Sequence, residues 1–414
     1  MIIRLLILLC AIIGALSCSD RQRLNPLDPD GVASDDSLGD LVAMAGNGRV
    51  DLSWDYSPFS DIEGYLLYRR QGDDPFVPIT VSPLPPEQKE YVDESLTNGT
   101  TYDYRMGLLV VGEGERSVGS TERATPGGES VWVADRGSGL VWKVNPDSRT
   151  ARFARGRFFD LWDIAVDNGS GTCWVSDGGF NGLYYISSEG RVSEVKAALE
   201  QPGDIAIDSA AGIGWVADRS RNEVFWFSTT SRDSLEFFVV DASFVDPVSL
   251  AAVAGSCWVV DRLQERAFLY SSTGQRIVEF PSLSRPISVE VDADGTAWVL
   301  VRDGAGLARL GLDGEALEVA LPFSEGQSLA VNRRDGSVWV VGESAMAHFG
   351  RTGELIAQWE DVPGGRAIAV DWDRERTWVA TVSSLWKFNE LGETMARLEG
   401  FSAMTRIAID RGQR

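Results

Sequence analysis

The sequence is poor in the side chains that most enzymes use for nucleophilic and acid–base catalysis. Among 414 residues there is one His, His348, and there are four Cys. A Ser-His-Asp or Cys-His set needs a His beside its nucleophile, and the sequence indicates neither. It also contains no Gly-x-Ser-x-Gly turn and no phosphate-binding Gly loop. We therefore expect none of the common hydrolase or nucleotide-dependent mechanisms.

Basic residues are also in the minority. The chain has 38 Lys and Arg against 61 Asp and Glu, which gives a formal net charge of -23. Such a charge repels phosphate backbones, so nucleic acid is not an expected partner. Beyond the N-terminal segment, no apolar run reaches the ~20 residues that a membrane-spanning helix needs.

Residues 1–17 are typical of a signal peptide. Arg4 precedes an apolar run over residues 5–16, which is too short to span a bilayer and has the length of a signal h-region. The run ends in Ala-Leu-Ser-Cys18, which resembles the lipobox of bacterial lipoproteins and implies acylation of Cys18. Cleavage by an ordinary signal peptidase at the same bond is the alternative. By the same resemblance, Ser19 after the Cys favours the outer membrane in a Gram-negative cell.

Two segments follow the signal peptide. Residues 18–37 are polar and acidic and contain two Pro, which predicts a flexible tether. Residues 38–126 show short alternating strands separated by turns, typical of a β-sandwich. With Trp54 in its second strand and Leu-Thr-Asn-Gly-Thr-Thr-Tyr102 before its sixth, this segment resembles a fibronectin type III domain. The resemblance implies that the Tyr102 hydroxyl bonds to upstream backbone and that the domain is a spacer or docking module.

A Trp-Val pair recurs seven times in the remainder of the chain, at intervals of 39 to 43 residues. A strand-rich repeat of ~40–45 residues is the signature of β-propeller blades. We expect each Trp ring to be buried between neighbouring blades. The Trp residues are Trp132, Trp174, Trp215, Trp258, Trp298, Trp339 and Trp378.

Cys173 and Cys257 each precede a Trp of this series, two repeats apart. Equivalent positions in such blades lie farther apart than the ~7 Å between Cα atoms that a disulfide allows. We expect buried free thiols, with a redox or metal-binding role as the alternative.

Each repeat contains an Ile-Ala-Val-Asp strand, a Trp-Val strand and two further strand signals. This pattern resembles NHL-type propeller repeats. The first Trp-Val strand has no Ile-Ala-Val-Asp strand before it, whereas the last such strand, at residues 407–410, has no Trp-Val strand after it. Placing this C-terminal strand inside the first blade closes the ring and covers a sheet edge. We predict an all-β chain in which residues 127–414 form a seven-bladed β-propeller closed by the C-terminal strand.

Arg and aromatic residues are expected on one face of this propeller. Four Arg stand four residues after a repeated Trp, and the NHL resemblance implies that their loops share a face with the loops before the first strands. Arg, Trp and Phe are enriched at interface hot spots, which predicts a binding face. The alternative is that each Arg pairs with a nearby acid on the surface. The candidates are Arg136, Arg219, Arg262, Arg302, Arg157, Phe158, Phe159, Trp162, Phe244, Arg285, Arg366, Phe401 and Arg406.

Two carboxylates form a candidate metal site. Asp163 and Asp204 stand where NHL-type repeats have Gly, at the starts of first strands in adjacent blades. Oxygen ligands meeting at the channel mouth would suit Ca²⁺, as in gluconolactonase-like propellers, whose Glu and Asn ligands have no matched positions here. Capping of the strand starts is the alternative.

The sequence therefore favours a cell-envelope lipoprotein with a non-catalytic binding or scaffold function and no cofactor. Its propeller face would bind a protein or glycan, and the lipid would anchor a monomer to the membrane. One alternative is a metal-dependent, lactonase-like hydrolase using Asp163 and Asp204, and another is a structural spacer. Propeller lyases that cleave streptogramins depend on His residues, which the lone His348 cannot supply.

Overall fold

The computed structural model describes residues 41–46, 48–54, 62–127, 130–145, 151–153, 158–188, 190–195, 199–230, 236–241, 243–304, 306–362 and 364–412. In these ranges all regular secondary structure is β-strand, so they hold no helix of the length and apolarity needed to cross a membrane. Cys18, Arg157 and the predicted signal peptide and tether lie outside the described residues.

The chain divides into two compact units. The first comprises the described residues within Met1–Val42, Leu52–Tyr91 and Tyr102–Glu122, and the second comprises those within Ala43–Asp51, Val92–Thr101 and Arg123–Arg414. The second unit contains every feature of the candidate sites described below.

Seven strands precede residue 125. They are β1 (Leu41–Gly46), β2 (Arg49–Trp54), β3 (Ile62–Gln71), β4 (Val77–Pro78), β5 (Glu90–Asp93), β6 (Tyr102–Val110) and β7 (Gly114–Ala124). They form a three-stranded sheet in the order β1-β2-β5 and a four-stranded sheet in the order β4-β3-β6-β7. β6 is buried along most of its length, whereas exposed and half-buried positions become frequent toward the end of β3. In the first unit Trp54 packs edge-on against Tyr65, with ring centroids 5.4 Å apart.

The rest of the chain forms seven four-stranded antiparallel sheets among the described residues. Each group of four strands from β11 to β34 makes one sheet in chain order, and the seventh sheet has the order β10-β9-β8-β35. The strands are β8 (Ser130–Asp135), β9 (Leu140–Val144), β10 (Ala151–Phe153), β11 (Leu161–Asp167), β12 (Thr172–Asp177), β13 (Gly182–Ile186), β14 (Val192–Val195), β15 (Pro202–Asp208), β16 (Ile213–Asp218), β17 (Glu223–Ser228), β18 (Phe238–Asp241), β19 (Pro247–Val253), β20 (Ser256–Asp261), β21 (Arg266–Ser271), β22 (Arg276–Phe280), β23 (Pro286–Val291), β24 (Ala297–Val301), β25 (Gly306–Leu310), β26 (Ala316–Ala320), β27 (Gly326–Val331), β28 (Val338–Gly342), β29 (Ala345–Phe349), β30 (Leu355–Glu360), β31 (Ala367–Asp371), β32 (Arg376–Ala380), β33 (Ser384–Phe388), β34 (Thr394–Glu399) and β35 (Met404–Asp410).

One strand from each sheet lies on the inside of a ring. These inner strands are β35, β11, β15, β19, β23, β27 and β31; each contacts the next, and β31 contacts β35. The strand after each inner strand in its sheet is called the second strand. β35 pairs antiparallel with β8, with Ile407 opposite Val133 and Ile409 opposite Val131, where the offset in the repeats places it.

The repeated Trp residues all lie in second strands and form the core between sheets. Six of them are fully buried, and Trp339 is 4% exposed. Trp174, for example, packs against Ile205 and Phe227 of the following sheet. The Trp258 indole N–H donates to the carbonyl of Gly295, also in the following sheet, at 2.9 Å. Each ring therefore joins two sheets, which is why the period of the sequence matches the period of the fold.

Cys173 and Cys257 lie in two of these second strands. Both are buried and neither is bonded to another Cys. Burial raises the pKa of each thiol well above its usual value, so both act as small apolar side chains.

Candidate functional site

The loops of the predicted binding face are held by Asp residues at the ends of second strands. The Asp177 carboxylate accepts hydrogen bonds from the backbone N–H groups of Phe159 at 2.7 Å and Asp160 at 2.9 Å. The same carboxylate accepts the N–H of Gly179 in its own turn. The loops that lead into the inner strands β15, β19 and β35 are bound in the same way by Asp218, Asp261 and Asp135. These bonds fix the backbone that carries the candidate side chains.

Most Arg candidates on this face pair with acids. Arg136 forms an ion pair with Asp160, and Arg262 lies 2.7 Å from Asp246. Two more pairs join Arg302 to Glu325 at 3.4 Å and Arg285 to Asp303 at 3.6 Å. For these four Arg the structure matches the surface-pair alternative, and exposed pairs of this kind contribute little energy.

The aromatic candidates divide into core and surface. Phe158, Phe244 and Phe401 are buried in the cores between sheets, so they offer no contact area to a partner. Phe159, by contrast, is 74% exposed. Its ring packs against Phe180, which is 58% exposed, with ring centroids 5.8 Å apart.

A contiguous group surrounds Phe159, and we call it the Phe159 patch: Phe159, Phe180, Arg136, Trp162 and Arg219. The Arg219 guanidinium carbon lies 4.0 Å from the centre of a Trp162 ring, and that of Arg136 lies 5.7 Å away. Arg219 has no acidic partner among the described residues, and its Nε is buried without a hydrogen bond. The patch thus combines exposed aromatic surface with a cation that the fold leaves unneutralised.

Arg366 lies elsewhere on the same face. It is exposed, its backbone N–H donates to Ala380, and its side chain forms no ion pair within the described part of the chain. The structure does not bring it into the Phe159 patch.

Asp163 and Asp204 do meet, at the starts of the inner strands β11 and β15. Each reaches the next inner strand: Asp163 Oδ2 accepts the N–H of Ile205, and Asp204 Oδ2 accepts the N–H of Leu250, both at 2.8 Å. Ser249 performs the same role one strand later, accepting the N–H of Val289 at 3.2 Å. The two carboxylates therefore tie neighbouring inner strands together.

A guanidinium, rather than an open space, faces these carboxylates. Arg406 occupies the equivalent position in β35, with Nε 3.2 Å from Asp163 Oδ1 and Nη2 3.7 Å from Asp204 Oδ1. Burial, and then the charge of Asp204, raises the pKa of Asp163 well above its usual value, while Arg406 opposes the shift. Burial also raises the pKa of Asp204.

This arrangement does not fit a Ca²⁺ site. The ion needs six to eight oxygen ligands, and the two acids already bind Arg406 and backbone N–H groups. Among the described residues, no group of three or more His, Cys, Asp or Glu is placed to hold a metal ion.

The opposite end of the ring holds a pocket that the sequence analysis did not identify. We call it the hairpin pocket, because the turns that follow five consecutive inner strands enclose it. Its volume is about 710 Å³, within the usual range for small-molecule sites. It is lined by Asp208, Ala210, Val253, Ala254, Ala293, Arg333, Arg334, Trp372 and Asp373.

Trp372 is the centre of a basic cluster at this pocket. The guanidinium carbon of Arg411, just after β35, lies 3.1 Å from the centre of a Trp372 ring, and that of Arg333 lies 5.9 Å away. Neither Arg has an acidic partner within hydrogen-bonding distance among the described residues. Burial, and then the charge of Arg333, lowers the pKa of Arg411 to about 10.

Glu290 lies on the inner strand β23 and interacts electrostatically with this cluster. Burial raises its pKa to about 7, with Asp204 adding to the shift and Arg333 and Arg411 opposing it. The matching position in the other six inner strands is Ala, at residues 165, 206, 251, 330, 369 and 408. Glu290 is therefore the one long, ionisable side chain in this layer of the ring.

A comparison of equivalent positions in the seven repeats would have identified these residues from the sequence. Trp372 and Arg411 each come directly after an inner strand, Arg333 is the second residue after one, and Glu290 replaces a repeated Ala. Each residue is unremarkable in its local sequence, and the cluster emerges only when the seven repeats are superimposed.

Comparison with known proteins supports the fold and no more. No protein-family model and no curated protein sequence matches the chain. A functionally unknown protein from Desulfotomaculum acetoxidans matches with a TM-score of 0.58 at 15% identity, covering 69% of this chain and 99% of that one. A protein from Lactobacillus plantarum matches with a TM-score of 0.56 at 11% identity, covering 68% and 99%.

A virginiamycin B lyase from Staphylococcus aureus is also similar, with a TM-score of 0.53 at 14% identity, covering 62% of this chain and 89% of the lyase. These neighbours are β-propellers, some of them enzymes and some of unknown function. At such identities the likeness supports a β-propeller fold for this chain, without assigning an activity.

Proposed function

We propose that this chain is a non-catalytic binding protein of the bacterial cell envelope. In this proposal the seven sheets are the blades of an NHL-like propeller over residues 127–414, which follows a fibronectin type III domain over residues 38–126. Cys18 carries a lipid that anchors the protein, in the outer membrane if the cell is Gram-negative. The tether over residues 18–37 sets the reach of the folded part.

The Phe159 patch is the observation that supports binding. Phe159 and Phe180 leave aromatic surface in solvent, and Arg219 stacks on Trp162 with no ion pair to any carboxylate that the structure describes. Phe, Trp and Arg are enriched at protein interfaces, and Trp and Arg are among the residues that carry most of the binding energy there. We therefore propose a protein partner with an apolar and acidic contact surface, and a glycan is the alternative partner.

Lyase chemistry is the less favoured alternative. A His-to-Ala variant of virginiamycin B lyase is catalytically inactive. The one His here, His348, stacks on Trp339 with ring centroids 4.1 Å apart, and burial lowers its pKa. Its position between strands of one sheet suits packing. The lactonase-like alternative loses support because Arg406 neutralises Asp163 and Asp204.

A photocrosslinking experiment in cells tests the proposal. A photoreactive amino acid at position 159 should yield a discrete crosslinked protein band, identified by mass spectrometry. The matched control places the same group at Leu312, which is 50% exposed on a different hairpin, and should yield none. The identified partner is then purified and titrated calorimetrically against the chain.

In that titration, Phe159→Ala with Phe180→Ala should weaken binding by about a hundredfold, typical of losing two hot-spot aromatics. Leu312→Ala with Leu391→Ala should leave the affinity unchanged. Equal crosslinking from positions 159 and 312, or full affinity in the Phe double variant, would contradict the proposed face.

A further inference from the structure

A second binding site lies at the other end of the ring from the Phe159 patch. The patch is built from the starts of inner strands and the ends of second strands. Because these strands are antiparallel, with Leu161 opposite Asp177 and Asp167 opposite Thr172, the turns after the inner strands lie at the opposite end. The hairpin pocket is formed by those turns, so a ligand there cannot share contacts with the patch.

We propose that the hairpin pocket binds a small hydroxylated oxyanion, of the class of sugar acids and sugar phosphates. Planar guanidinium groups suit carboxylate and phosphate oxygens, because their N–H groups match the spacing of two oxygens. The pocket brings Arg333 and Arg334 to its lining and Arg411 against Trp372. On a chain with a formal net charge of -23, three Arg side chains are gathered at this one pocket, beside the acids Asp208 and Asp373 of its lining.

Two of the acids near the pocket are engaged with groups other than Arg333 and Arg411. Both carboxylate oxygens of Asp208 accept hydrogen bonds from the backbone. The donors are the N–H groups of Ala210 and Ala211 at 3.1 Å and of Gly255 at 2.6 Å. Asp371 pairs with Arg374 at 3.1 Å. No ion pair links either acid to Arg333 or Arg411 among the described residues. Arg333 lines the pocket and donates from Nη2 to the carbonyl of Ala252 at 3.2 Å, so its other N–H groups remain for a ligand.

The other lining residues account for the hydroxylated part of the ligand. Trp372 presents aromatic surface on which the C–H face of a sugar ring packs, and Val253 adds a neighbouring apolar wall. Asp373 also lines the pocket, and a carboxylate accepts about four hydrogen bonds, so it can accept one from a ligand hydroxyl. The volume of about 710 Å³ accommodates one or two sugar rings.

Calorimetric titration of the folded chain tests this assignment with three probes. Glucuronate carries a carboxylate, glucose 1-phosphate carries a phosphate, and glucose carries neither. We expect at least one of the two anions to bind, with an affinity at least about tenfold above that of glucose. The anion that binds more tightly shows whether the ligand belongs to the sugar acids or to the sugar phosphates.

Variants locate the binding. Arg333→Gln and Trp372→Leu should each lower the affinity for the anion by about tenfold or more, since each removes one of the contacts described. Arg397→Gln, on an outer strand and paired with Glu399, is the matched control and should bind like the parent chain. Because Trp372 and Arg333 lie in turns, both variants should keep the parent unfolding midpoint; if Trp372→Leu does not fold, Arg333→Gln decides alone.

Three results would overturn the proposal: binding of neither anion, glucose binding as tightly as the anions, or full affinity in a folded Arg333→Gln variant. None of these bears on the Phe159 patch, whose failure is detected separately by the crosslink at position 159.

Discussion

The guanidinium of Arg406 lies 3.2 Å from the carboxylate of Asp163 and 3.7 Å from that of Asp204, so the last strand of the chain neutralises two acids of the second and third sheets in the ring. Without Arg406, two buried carboxylates would face each other with no cation between them. The closing strand therefore contributes charge as well as hydrogen bonds.

Replacing Arg406 should destabilise the protein in a pH-dependent manner. Arg406→Gln is expected to lower the free energy of unfolding by about 2 to 3 kcal/mol at pH 7, less than for a wholly buried pair because the Arg is partly exposed. The pKa of Asp163 is already raised and rises further in the variant, so the loss should be smaller at pH 4 than at pH 7, because the carboxyls take up protons as the pH falls. Urea unfolding at the two pH values measures this. Arg397→Gln serves as the control, and a loss that is equal at both pH values would contradict the charge cluster.

Removing the closing strand should have a larger effect. A chain that ends before Arg406 loses the pairing with β8 and the buried side chains of Ile407 and Ile409. Burial of each contributes about 1.5 to 3 kcal/mol, and backbone groups of β8 lose their partners. We expect the cooperative thermal transition followed by circular dichroism to broaden and shift to lower temperature. A chain ending at Gly412 should melt normally, and an unchanged melt of the shorter chain would argue against closure by β35.

Phe158 and Phe159 should behave oppositely although they are adjacent. Phe158 is 6% exposed and packs edge-on against Tyr184 with ring centroids 5.4 Å apart. Phe158→Ala should cost about 3 to 5 kcal/mol, as core Phe truncations do. Phe159→Ala should change stability by less than about 0.5 kcal/mol. Chemical denaturation of the two variants measures both; a similar loss in each would mean that the two rings share one core.

Glu290 should make the protein less stable as the pH rises. Its usual pKa is 4.5 and burial raises it to about 7. The native state therefore holds a proton that the unfolded state releases, and stability falls between those two pH values. Glu290→Gln should be more stable than the parent by about 2 to 3 kcal/mol at pH 8, and nearly equal at pH 4. Urea unfolding tests this, with the exposed Glu360→Gln as control. Parallel pH curves for parent and Glu290→Gln would refute it.

The repeated Trp residues made most of the fold predictable. A large apolar ring on a strand at a fixed period has one physical explanation, which is packing between copies of the same unit. The offset at Ile407–Asp410 likewise indicated which sheet lacked a strand. The bounds of the first domain have no comparable signal, because its turns vary in length and no period constrains them.

The candidate site was less predictable, for reasons that differ between residues. Phe158 and Phe159 are chemically identical, and only the twist of the loop held by Asp177 decides which one is buried. Asp163 and Asp204 were expected to meet, yet the partner that neutralises them is Arg406, in the strand contributed by the far end of the chain. Equivalence of position in the ring, rather than proximity in sequence, links all three.

The pairing of β35 with β8 also sets the order of events during synthesis. The edge of β8 emerges from the ribosome long before its partner strand, and it stays open until Asp410 has been translated. Contacts that span most of a chain form slowly, and an uncovered strand edge recruits other strands meanwhile. A nascent chain of this design therefore exposes the edge of β8 for most of its synthesis.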